Sequence, residues 1–264
     1  MNVYTYGNDG RVEYCREYLL GKNICSAKNI VLFPIPTSKD METLNGTEES
    51  FASVCEKLVP STVAVGYEIP KKFRTLLSEK NIIQIDVSRD EEYLKENASL
   101  TAVGTIGRIL CEEKKAPQDL KIGVIGYGRI GKELVSRLIF LGAAVTVVTS
   151  RGELCYSMCE VGVSCICSSA LCEEENLLKL SKLDILINTA PVKLIDESAA
   201  LKLSSLRIIE LASADNFPPC LYVERFASVP AAMYPKSAGI VLGRSILRML
   251  GEEADSIAGE EGKI

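Results

Sequence analysis

Residues 121–151, KIGVIGYGRIGKELVSRLIFLGAAVTVVTSR, decide the fold. Lys121 to Ile125 is a short β-branched apolar run and predicts a buried parallel strand. Arg129 to Leu141 carries apolar residues at helical spacing, and Ala144 to Thr149 predicts a second strand, so the stretch is one βαβ unit. Between first strand and helix lie Gly126, Gly128 and Gly131. Where a strand turns abruptly into a helix, the first glycine makes the turn and the second lets a pyrophosphate approach the backbone. The third lets the helix pack closely on the strand. The helix start then offers N–H groups and a positive dipole end to the phosphates. The pattern predicts a bound dinucleotide.

The end of the second strand bears on which dinucleotide. An NAD site usually places a carboxylate there, roughly twenty residues after the glycines, to hold the ribose hydroxyls. This chain has Thr149, Ser150 and Arg151. Two hydroxyls, a guanidinium and no repelling carboxylate suit a 2′-phosphate, so NADP is expected in preference to NAD. The competing reading of Arg151 is a solvated helix-start residue.

Composition narrows the remaining classes. The 264 residues are 47% hydrophobic and 25% charged, the profile of a globular chain long enough for two domains. No apolar run approaches the roughly 20 residues of a membrane span, and the N-terminal stretch lacks a signal-peptide pattern. A cytoplasmic protein without a membrane partner is expected. A net charge of -5 speaks against a nucleic-acid partner, which requires a basic face. The chain has no His, which closes mechanisms that use imidazole as general base. Its ten Cys are expected as reduced thiols. Five of them, Cys155, Cys159, Cys165, Cys167 and Cys172, crowd together at spacings that fit no pair of metal-ligand knuckles. They are expected as small buried apolar side chains, with no metal.

Outward from the central unit, the chain alternates strand and helix. Strands are predicted at Asn2 to Tyr6, Asn29 to Phe33, Thr62 to Tyr67 and Ile82 to Asp86. Helices follow at Arg11 to Leu20, near Glu48 to Leu58, and at Lys71 to Lys80. This makes a first α/β domain over 1–96, and its opening GNDGR repeats the strand, turn, helix logic with fewer glycines. Residues 97–117 predict a connecting helix, and 118–234 the dinucleotide-binding domain. After 151 that domain continues with a helix, a strand at Val163 to Ile166, a helix at Ala170 to Leu180, and strands at Leu183 to Asn188 and Leu206 to Leu211. A short strand within Tyr222 to Val229 follows. A C-terminal helix from Ser237 to Leu250 carries an apolar stripe suited to return to the first domain, and its start offers N–H groups, Lys236 and Ser237 to a carboxylate. The acidic tail after it is expected to fray. The fold class is therefore α/β, with two Rossmann-like parallel-sheet domains of which the second binds the dinucleotide.

Several stretches together resemble one family, the A subunit of dipicolinate synthase from endospore-forming bacteria. They are GNDGR with Gly7, Asp9 and Arg11; NASLTAVGTI with Asn97, Thr101, Gly104 and Thr105; the glycine-containing stretch through Arg151; INTAP from Ile187 to Pro191; IIELAS from Ile208 to Ser213; and VPAAMYPKSAGIVL. Val103 stands where the family has an acidic residue, and Ala214, Asp215 and Asn216 stand where it has a glycine-rich loop.

The resemblance implies a sporulation enzyme that oxidises a dihydrodipicolinate-like ring to pyridine-2,6-dicarboxylate with NADP, working with a flavoprotein-like B subunit. Carried over by position, Gly126, Tyr127, Gly128, Arg129, Ile130 and Gly131 would hold the pyrophosphate. Thr149, Ser150 and Arg151 would hold the adenosine ribose phosphate, and Thr189, Ala190, Pro191 and Ala212 the nicotinamide half. A dicarboxylate substrate needs cations, for which Lys236 and Arg11 are the candidates, with Ser237 and Asn97 as donors. Each has a solvated alternative: Arg11 as a residue that only starts its helix, and Lys236 as one that only projects into water. Aromatisation gives hydride loss a large driving force, so the lack of His is tolerable and positioning supplies most of the rate. The expected assembly has its cofactor cleft between two domains and forms a homo-oligomer. Two other readings share the frame: an NAD(P)-dependent dehydrogenase of another small carboxylic acid, and a non-catalytic dinucleotide-binding protein.

Overall fold

The computed structural model describes residues 2–22, 29–160 and 162–251. The chain divides into two compact units, residues 1–97 with 230–264, and residues 98–229. The expected fraying of the acidic tail concerns residues 252–264, which lie outside the described residues.

The first unit alternates β1 (Val3–Thr5), α1 (Gly10–Leu20), β2 (Ile30–Leu32), α2 (Phe51–Lys57), β3 (Val63–Gly66), α3 (Lys71–Glu79) and β4 (Ile83–Asp86). The strands pair in parallel in the order β1-β2-β3-β4. Residues of β2 and β3 are buried throughout, as both faces of a parallel sheet require. On one face the rings of Phe51 and Phe73 stack 4.5 Å apart, with Phe33 against Phe73 at 5.1 Å.

The helix α4 (Glu91–Glu112) starts six residues before the Asn97 that periodicity indicates. Asp90 is the reason. Its carboxylate accepts bonds from the backbone N–H groups of Glu92 (3.0 Å) and Tyr93 (3.3 Å), and two glutamates follow at the positive end of the dipole. The same carboxylate accepts from the Ser245 hydroxyl at 2.6 Å and from Arg248 at 2.8 Å, which ties in the last helix of this unit.

The second unit continues with β5 (Lys121–Ile125), α5 (Arg129–Phe140), β6 (Ala144–Thr149), α6 (Gly152–Glu160), β7 (Ser164–Cys167), α7 (Glu174–Leu180), β8 (Ile185–Asn188), α8 (Glu197–Lys202), β9 (Arg207–Glu210) and β10 (Val223–Arg225). Its six parallel strands run β10-β9-β8-β5-β6-β7, so the order reverses between β5 and β8, the doubly wound arrangement with its switch point at the glycine turn. Ala102, Ile106 and Ile109 of α4 are buried with Ile122, Leu134 and Val147 in its core. The helix expected from Ala170 is a 3-10 turn at Ser168–Ala170 and then α7, whose first turn gathers Glu174 and Glu175 at the positive dipole end. The short α8 is not indicated by periodicity, although Asp196 caps it by accepting from the Ala199 N–H at 2.8 Å.

Helices α9 (Val229–Met233) and α10 (Pro235–Leu250) complete the chain. The start of α10 lies two residues before Ser237 because Pro235 occupies the first turn, where its missing N–H costs nothing. As expected, α10 returns to the first unit. It runs parallel to α1: a methyl on Gly10 would touch Pro235 at 3.6 Å, and one on Gly239 would collide at 2.6 Å with the Arg11 carbonyl and the Tyr14 side chain. The two helix starts therefore lie together.

Candidate dinucleotide site

The glycines of the central turn have three separate physical tasks. Gly126 turns the chain at φ 93, a left-handed conformation that side chains oppose, and a methyl there would come within 2.5 Å of Thr189 Oγ1. Gly131 faces the turn so closely that its own methyl would press into the Gly126 carbonyl, 2.9 Å from the carbon. Gly128 differs from both, since a methyl built on it meets nothing within 4 Å. Protein packing thus explains Gly126 and Gly131 and leaves Gly128 bordering open space. This is the space a diphosphate would fill at the start of α5, and the residues present fit a dinucleotide on that observation.

A cavity of about 340 Å³ opens at this turn, lined wholly by the second unit. Of the sequence-indicated residues, Gly126, Tyr127 and Gly128 line its floor. Thr149, Ser150 and Arg151 line one side, and Thr189, Ala190 and Pro191 the other. Arg129, Ile130 and Gly131 form the first turn of α5, and Ala212 follows β9; these four are not among the lining residues. Sequence reasoning missed Val148, Ser168, Val192 and Leu194, which also line it. Val148 and Ser168 could have been found as neighbours of the glycine turn at the carboxyl ends of β6 and β7.

Local bonds set the walls. The Thr189 hydroxyl donates to the Ile125 carbonyl at 2.9 Å, fastening the end of β8 to the end of β5. Arg151 donates from Nη2 to the Tyr127 carbonyl at 2.7 Å, so its guanidinium is drawn toward the glycine turn although the residue is exposed. Thr149 is buried, and its hydroxyl accepts from the Arg151 N–H at 3.3 Å, leaving Ser150 as the exposed hydroxyl of this edge.

Beyond Arg151 the expectation for the cysteines is overturned. Cys155 and Cys165 are joined by a disulfide, with Cα atoms 5.2 Å apart, and none of the five is buried: Cys159 and Cys172 are exposed, while Cys155, Cys165 and Cys167 are half-buried. The reason is tertiary. Cys155 sits one turn into α6, its N–H bonded to the Arg151 carbonyl, and the chain returns along β7 to bring Cys165 beside it. Among the described residues no group of three Cys, Asp or Glu is placed to hold a metal ion.

The four substrate-side candidates all belong to the first unit. Arg11 is not a solvated helix-start residue. It is 5% exposed, pairs with Asp9 at 2.9 Å and donates to the Ile35 carbonyl at 2.8 Å. Asp9 also accepts from the N–H groups of Arg11 and Ile35, so this pair closes the loop between β1 and α1 onto the loop after β2. Asp9→Ala is expected to destabilise the first unit by about 3 kcal/mol, because the guanidinium is left buried without its counter-charge; thermal unfolding measures it. Lys236 and Ser237 are exposed in the first turn of α10, and Asn97 is half-buried in α4.

The arrangement defines a class. The second unit has the strand order, switch-point turn and cavity of a dinucleotide-binding Rossmann domain, and the chain as a whole has the fold of the Rossmann-like dehydrogenases. The particular solved structures that it resembles include the A subunit of dipicolinate synthase from Bacillus halodurans, with a TM-score of 0.75, 18% identity, and coverage of 96% of this chain and 98% of that one. The corresponding dipicolinate synthase structure from Bacillus subtilis superposes with a TM-score of 0.73 at 15% identity, covering 95% and 96%. A transhydrogenase from Sinorhizobium meliloti follows at a TM-score of 0.60 and 15% identity, covering 94% and 92%. No protein-family model and no curated protein matches the sequence. No helix among the described residues is long and apolar enough to cross a membrane.

Proposed function

We propose that the chain is an NADP-linked oxidoreductase of the dipicolinate synthase kind, converting a dihydrodipicolinate to dipicolinate. The observation that carries this reading is the open space at Gly128 within an otherwise closed glycine turn. The likeness to the two dipicolinate synthase structures supports the choice of reaction. Bound in the cavity, the nicotinamide supplies the hydride acceptor.

The chain's own residues would divide the work. Arg129, Ile130 and Gly131 present the N–H groups of the first turn of α5 to the diphosphate, and Gly126, Tyr127 and Gly128 shape its bed. Ser150 and Arg151 meet the 2′-phosphate. Thr189, Ala190, Pro191 and Ala212 border the nicotinamide half. On the substrate side, Lys236 at the joined starts of α1 and α10 would meet one carboxylate, with Ser237 and Asn97 as donors. Arg11 would contribute through its position, since its guanidinium already serves Asp9 and Ile35.

An oxidation of this kind would balance without an imidazole base, with the bound nicotinamide available as hydride acceptor, water as proton acceptor, and aromatisation driving both losses. A flavoprotein-like B subunit is the proposed partner, a homo-oligomer the proposed assembly, and the cytoplasm the proposed location. The direct test supplies dihydrodipicolinate generated in situ with NADP, with and without that partner, and follows NADPH and the ultraviolet absorbance of dipicolinate. Product in either mixture supports the reading; its absence from both removes it. For cofactor choice, Arg151→Ala is expected to weaken NADP about 10-fold to 100-fold, through loss of charge-assisted bonds, and NAD by less than about threefold. Equal losses in paired titrations would refute the role given to Arg151.

A further inference from the structure

Glu210, the last residue of β9, is 1% exposed and has no cation within ion-pair range among the described residues. It is nevertheless surrounded by donors. The Asn188 amide donates to both carboxylate oxygens at 3.0 Å, the Ala212 N–H to Oε1 at 2.8 Å, and the Asn216 amide to Oε2 at 3.1 Å. Both oxygens act only as acceptors, the bonding pattern of a carboxylate anion. A buried anion held by dipoles and without a counter-charge is costly to keep for packing alone.

Its place in the sheet suggests its use. Glu210 stands in register with Asn188, so both close their strands at the carboxyl edge, on the far side of the switch point from Arg151. Asn188 also donates to the Ala190 carbonyl at 2.9 Å and accepts from the Ala190 N–H at 3.1 Å, which fixes the wall formed by Thr189, Ala190 and Pro191. With the adenosine end at β6, the nicotinamide half would cross β8 and β9.

We infer that Glu210 is a positioning residue whose charge favours the oxidised, positively charged nicotinamide over the neutral reduced ring. This rests on the dinucleotide reading above. Opposite charges separated by one wall of side chains at protein dielectric alter a binding ratio by about tenfold.

The test is calorimetric titration of the full chain with NADP+ and NADPH. Glu210→Gln is expected to weaken NADP+ about tenfold and leave NADPH within about twofold. Asn216→Ala, which removes a donor and keeps the charge, is expected to shift both forms by one factor. Equal weakening of both forms in Glu210→Gln, or no change in either, overturns the inference while leaving dinucleotide binding intact. Failure of the unaltered protein to bind either form overturns both. Should Glu210→Gln not fold, the unaltered protein decides: NADP+ bound at least as tightly as NADPH supports the inference, and NADPH bound more tightly overturns it.

Discussion

Gly131→Ala is expected to destabilise the second unit by at least about 3 kcal/mol, lowering its unfolding temperature by roughly 10 °C, and to abolish dinucleotide binding. The new methyl would press into the Gly126 carbonyl. That carbonyl cannot swing aside as a side chain end could, because Gly126 is pinned from both sides: its N–H bonds the Val148 carbonyl at 2.8 Å, and Thr189 stands against its Cα. Relief would require α5 to move off β5, opening the contacts that Leu134, Val135 and Leu138 make with Ile122 and Val124 in the core. Thermal unfolding by circular dichroism measures the effect. A variant as stable as the parent would show that the helix does not pack on the turn as described.

Gly128→Val separates binding from stability. Gly128 has an extended backbone, φ -82 and ψ -158, which valine adopts readily, and a Cβ there meets no protein atom within 4 Å. Folding stability should therefore change by less than about 1 kcal/mol, the scale of a lost helix cap offset by a stiffer unfolded chain. Dinucleotide affinity should fall more than about 100-fold, because the isopropyl group would occupy the path of the diphosphate. The pair of outcomes is specific. Loss of both stability and binding would mean that the space is closed by packing, and loss of neither would mean that no diphosphate passes there.

The contrast between these glycines explains how much of the molecule is legible in its sequence. Strands β5 and β6 can be read to the residue, because β-branched runs bounded by glycine turns have no competing local structure. The glycine turn and Thr149, Ser150 and Arg151 follow from local pattern in the same way, whereas Thr189 and Ala190 are indicated by the family resemblance alone. The start of α4 is harder, since EEYLKE is mostly charged and shows little apolar period; its signal is the cap at Asp90. The six residues of α8 are too few to show a period at all.

Features made by distant parts of the chain leave no local trace. The Cys155–Cys165 bridge depends on the return from α6 to β7. Glu210 falls within the strand expected at Leu206 to Leu211, and only the register with Asn188 and the turn back of Asn216 show what surrounds it. Likewise the burial of Arg11 comes from the loop after β2, which closes over it through Ile35.

The cavity beside Gly128 is expected to hold a pyridine nucleotide. Isothermal titration of the unaltered chain with NADP and, separately, with NAD tests this most directly. Saturable heat with one nucleotide per chain, and tighter binding of NADP, is the expected result; no heat of association with either nucleotide would contradict the account.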